Sequence, residues 1–127
     1  HENTHNPGSA LEQVHQAVLF IMQRFAYLLE RLEATPDPLG GTLLDNTVVF
    51  CSSDCSEGWT HSIFDQPIIV AGNAGNQLVS PGIHYRSPNG ENPSDILLTL
   101  LRLFDPTASS IGGGTPMSTT PFTQILA

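Results

Sequence analysis

Lysine is missing from this 127-residue chain, and four arginines stand against twelve acidic residues for a formal charge of −8. A surface that grips phosphate backbones needs clustered cations, whereas Arg24, Arg31, Arg86 and Arg102 are scattered singly, so nucleic acid is excluded as a partner. The same balance disfavours an anionic membrane surface. Long apolar runs are also missing. The best candidate is broken by Gln23, Arg24 and Glu30, short of the roughly 18 residues that a membrane span requires. Charged residues make up only 13% of the chain, against a usual share of about a quarter. So low a share implies that part of the surface is covered by other protein: a partner chain, a second subunit, or more of the same polypeptide.

Several chemistries lack their signatures. There is no glycine-rich phosphate cradle, no Gly-x-Ser-x-Gly elbow and no Cys-x-x-Cys, and Gly112-Gly-Gly114 lacks the flanking strand and helix that would give it meaning. Cys51 and Cys55 are too far apart for a disulfide if the segment between them is extended, and close enough if it turns after residue 53. Both states stay open. No internal repeat is present, and no basic segment leads into an apolar stretch. A chain opening in this way on His1 is expected to be processed or partial.

What is present reads as α/β. Leu11, Val14, Val18, Ile21, Phe25, Leu28, Leu29 and Leu32 recur at spacings of three and four, which predicts a helix from Ser9 to about Ala34. Ser9 and Glu12 form a capping-box pair at its start, and Pro36 and Pro38 stop it. Ala17, Leu19, Phe20 and Met22 widen the apolar arc, so the helix is expected to pack on more than one neighbour. The runs Thr47–Ser52 and Pro67–Gly72 read as strands buried on both faces, of the parallel type. Gln77–Val79 and Ile83–Tyr85 suggest a hairpin, Ile96–Phe104 a second helix, and Phe122–Leu126 either an edge strand or an apolar dock. Residues 107–120, rich in Gly, Ser, Thr and Pro, read as a flexible tail segment. Two strands and two helices in a single portion, 1–127, amount to half of a doubly wound domain with helices on both faces of its sheet.

Ligands of α/β sheets gather where strands end. The first strand runs into Asp54, Glu57 and His61, whose oxygen and nitrogen donors suit zinc, manganese or a similar divalent ion. The competing reading is two solvated carboxylates and a backbone-bonded histidine. His5, just before the long helix, belongs to a second histidine-bearing cluster, His1–His5, for which a disordered terminus is the alternative. A copper brace built on His1 is a further alternative that nothing else in the chain favours. His15 is expected to be at the surface or partly packed, His84, beside Tyr85 and Arg86, to contact a ligand or nothing, Trp59 to lie either over a site or in the core, and Asp65 to fix a turn.

The order Phe25-Ala-Tyr-Leu-Leu-Glu-Arg-Leu, Gly41-Thr-Leu-Leu-Asp-Asn-Thr-Val-Val-Phe, a donor-rich loop to His61-Ser, and Gln66-Pro-Ile-Ile-Val-Ala-Gly resembles the C-terminal part of the alkaline phosphatase and sulfatase superfamily. The chain is most similar there to exported bacterial sulfatase-related proteins, including the group described by a His-x-x-Ser-His-His motif. The resemblance spans most of residues 1–126 and is strongest from Phe25 to Gly72. It implies a phosphate- or sulfate-ester hydrolase with divalent metals, zinc first, or manganese, calcium or magnesium, at the carboxyl edge of a sheet. His5 would match the first histidine ligand, Asp54 or Glu57 the acidic ligand, and His61 the late histidine. It also implies an extracytoplasmic location, and a nucleophile in an upstream region outside these residues. Asn3 stands where an aspartate is expected, and Cys55 follows Asp54 where many relatives carry histidine. These departures favour the rival expectation: a non-catalytic structural or interaction protein of an exported assembly, oligomeric or bound to another chain, with a decayed metal site.

Overall fold

The computed structural model describes residues 2–5, 7–79 and 82–127. A four-residue helix, α1 (Glu2–His5), precedes the long helix α2 (Pro7–Glu33). α2 begins two residues earlier than the capping pattern suggests, with Pro7 in the first turn, where its missing N–H costs nothing. The Ser9 side chain, and with it the capping-box reading, lies outside what is described, as does His1 and the copper-brace reading. At the other end, the Ala34 amide still reaches the Glu30 carbonyl at 2.9 Å and the Thr35 hydroxyl donates to the Arg31 carbonyl at 2.7 Å. Pro36 then denies residue 35 a helical conformation.

Strands β1 (Val49–Ser52) and β2 (Ile68–Ala71) pair antiparallel, Val49 opposite Ala71 and Ser52 opposite Ile68. Their apolar runs suggested parallel strands, yet the link between them contains no helix, and a parallel return needs a crossover. Phe50 and Ile69 are both exposed, and since Phe50 stands opposite Val70 and Ile69 opposite Cys51 they lie on opposite faces of the pair, neither of which is fully covered by the described residues. Two strands are too few to display the order of a doubly wound sheet. Directly after β2 comes Gly72, whose backbone lies against that of Thr47: a Cβ there would stand 2.1 Å from the Thr47 carbonyl oxygen, and its φ is +85°.

Helix α3 (Ser94–Phe104) closes the small core, in which Ala74, Leu78 and Leu100 pack with Val48, Val70, Ile96, Leu103 and Ile125. On its other side Leu98 and Thr99 are buried, and the Thr99 hydroxyl lies 2.9 Å from the Asp95 carbonyl and 3.0 Å from that of Phe122. Residues 77–79 and 83–85 do not pair with each other, and residues 80–81, where the turn of that hairpin would fall, lie outside those described. Leu78 bridges Leu126 instead, Val79 donates to the Ile125 carbonyl, and the Tyr85 ring packs edge-on against Phe122 at 5.0 Å. The chain end is thus both paired and docked, through the 3-10 turn Thr123–Ile125. Residues 107–120 are irregular but tethered: Ile111 bridges Ser118, and the buried Ser118 hydroxyl donates to Asp95 at 2.6 Å. Cys51 and Cys55 are free thiols. Among the described residues no helix is long and apolar enough to cross a membrane.

Candidate functional site

The loop between β1 and β2 folds back on itself. Ser56 donates through its amide and hydroxyl to the Ser62 carbonyl at 2.7 and 2.9 Å, and Ser62 returns a bond to the Glu57 carbonyl at 3.2 Å. At the corner His61 takes a left-handed φ of 53°, a conformation histidine tolerates better than bulkier or branched residues do. α1 rests on the other side of the turn. Gly58 permits that approach, since a Cβ there would fall 2.6 Å from the Thr4 Cβ.

These two placements bring His5 and His61 together across 56 positions of sequence. Their Nε2 atoms are 3.1 Å apart, and the rings meet edge to face at 4.7 Å between centroids. At that distance one nitrogen donates a proton and the other offers a lone pair. Replacing the proton with a metal ion changes the spacing little. An ion about 2.0–2.1 Å from each nitrogen at a near-tetrahedral angle holds them about 3.3 Å apart.

The carboxylates are otherwise engaged. Glu57 accepts the Thr60 hydroxyl at 2.7 Å, and Asp54 lies beside Ser53 and the Cys55 thiol. Among the described residues no three His, Cys, Asp or Glu side chains converge as a metal-holding group. Partial burial pushes the Cys55 thiol above its ordinary value, and the Asp54 charge adds to it, so the thiol stays protonated and is a poor nucleophile. His15, His84 and Trp59 are exposed.

Two residues that the sequence did not mark as part of a site, Asp65, expected in a turn and found in one, and Arg86, complete the picture. Asp65, also left-handed at φ 54°, is gripped by Arg86, whose Nε and Nη2 reach its two oxygens at 3.1 and 2.6 Å. The hydrogen bonds from Arg86, reinforced by its charge, hold the Asp65 carboxyl below its usual range. Arg86 also lines an open groove of about 1750 Å³ walled by Phe50, Phe64, Ile83 and Tyr85, to which neither imidazole contributes. The sequence signals for this pair were Asp65 as a turn residue before Gln66-Pro67 and Arg86 as a lone cation, with nothing to join them. Compared with known protein families, curated proteins and solved structures, the chain matches none.

Proposed function

We propose that the chain is the C-terminal portion of an alkaline-phosphatase-like, doubly wound α/β protein that hydrolyses phosphate or sulfate esters in an extracytoplasmic compartment. His5 and His61 would hold a divalent ion, zinc first. The observation that carries this reading is the 3.1 Å approach of two Nε2 atoms from distant parts of the chain. Two imidazoles fit half of a zinc shell. Asp54 or Glu57, after releasing its present partner, or donors from the rest of the polypeptide would supply the remainder. When bound, the ion would polarise the ester oxygens and lower the pKa of the attacking group. The residues of this chain would orient it and keep the imidazoles paired.

Zinc titration of the chain by calorimetry tests the reading. One ion per chain is expected, with His5→Ala and His61→Ala each weakening binding at least tenfold. Heat indistinguishable from dilution in the unsubstituted chain would remove the metal site. The rival, a non-catalytic interaction protein, is favoured by the lack of a third converging ligand among the described residues. Hydrolysis of aryl phosphate or aryl sulfate by the zinc-loaded parent protein, lost in His61→Ala, separates the two.

A further inference from the structure

The loop that presents His61 is closed at its base, where Gln66 Nε2 donates to the Ser53 carbonyl and the Ser52 hydroxyl to that of Pro67, and it is held at two places further out. Its front half is fixed by the Ser56–Ser62 and Ser62–Glu57 hydrogen bonds. Beyond the corner, the Phe64 amide donates to the Ser62 hydroxyl at 3.2 Å, and Asp65 follows in a second left-handed conformation. Left-handed backbone at a residue other than glycine persists only where its surroundings over-determine it. For Asp65 those surroundings are the Arg86 guanidinium, 21 positions away, bound through two parallel hydrogen bonds. A two-point grip fixes direction as well as distance, which a single ammonium contact does not. Ile63 and Phe64, the residues between, are exposed, so core packing does not hold the turn.

We propose that Arg86 is a positioning residue: by gripping Asp65 it fixes the turn 61–65 in the geometry from which the His61 ring meets His5. The inference rests on reading the imidazole pair as the working site, and its test does not need the metal. In nitrogen-correlated imidazole spectra of the metal-free chain, Arg86→Ala is expected to shift the His5 and His61 resonances together, leaving those of His15, on the distant helix α2, in place. Asp65→Asn should reproduce the change, and Arg86→Lys should restore part of it. Arg102→Ala, which removes a bond to the Ala108 carbonyl elsewhere, should leave both rings unmoved. An exposed pair is a weak strap, so zinc affinity is expected to fall about two- to fivefold in Arg86→Ala. Unchanged His5 and His61 resonances in Arg86→Ala and Asp65→Asn, even with a lowered melting temperature, would overturn the proposal. Should the unsubstituted chain bind no zinc while the ring resonances respond as described, the metal reading fails and the positioning role stands.

Discussion

His5 and His61 meet because one small residue lets the loop backbone rest against a side chain of α1. Gly58 leaves room for Thr4, and that room is a testable quantity. Gly58→Ala places a methyl carbon 2.6 Å from the Thr4 Cβ, so α1 must lift from the loop. The expected result is loss of the coupled ring resonances with a destabilisation of about 1–3 kcal/mol. Adding Thr4→Gly, which removes the opposing Cβ, should recover much of both. The carboxylates give a second prediction. Asp65, Asp45 and Asp105 all titrate below their ordinary 3.8, held respectively by Arg86, by Thr42 and by Thr107. Each binds its proton less readily in the folded chain, so the unfolded chain takes up more protons in acid. Stability is therefore present above about pH 4 and is lost as pH falls through 3.8 toward the folded values. Denaturant midpoints between pH 3 and 6 check the sign, and Asp65→Asn should flatten part of the slope. In the sequence the two histidines stood out as donors. The partners that aim them did not, because Gly58 and Arg86 act through backbone proximity and a contact 21 residues away, neither of which leaves a local pattern.

Helices were legible at the scale of elements because periodicity reports the face of a helix directly. Leu11 through Leu32 and Ile96 through Phe104 mark α2 and α3 to within a few residues of their observed ends. Strand direction was not legible. A continuous run such as Val-Val-Phe-Cys states that a segment is apolar but not which way its neighbour runs, and the helix-free link decided that question. The arms at 77–79 and 83–85 stay unpaired with each other for a related reason: Leu78 pairs with Leu126 instead, and the sequence offers no measure of competition between distant segments. Two substitutions test the observed packing. Leu98, fully buried on α3, should cost about 2–5 kcal/mol when cut to alanine, read from denaturant unfolding. At Gly72 an added Cβ meets the Thr47 backbone at 2.1 Å with φ at +85°. Gly72→Ala therefore forces backbone to move, and the β2 exit should lose protection from hydrogen exchange before the rest of the chain does.

At the scale of the whole molecule, the core is small for so apolar a chain. Leu11, Val18, Phe20, Ile21, Tyr27 and Leu28 on α2 are all exposed, and so are Phe50 and Ile69 on the sheet. Helices that are apolar over a wide arc belong inside larger structures, and a two-stranded sheet is marginal alone. Both facts fit a portion of a larger α/β protein, and they also fit an interaction module. Val18 and Ile21, 52% and 55% exposed, separate packing within these 127 residues from packing against further protein. Replacing both with glutamate should leave the unfolding free energy of this chain within about 1 kcal/mol, since exposed positions contribute little. The same change should reduce its self-association in sedimentation, because it breaks a contiguous apolar patch. In the larger α/β protein of the proposal the two positions would be core, and the substitution would cost several kcal/mol by burying unpaired charge. A large stability loss in the 127-residue chain would mean that α2 is already packed by it. Equal, small losses in both would leave α2 as a surface helix and withdraw the larger sheet from the proposal.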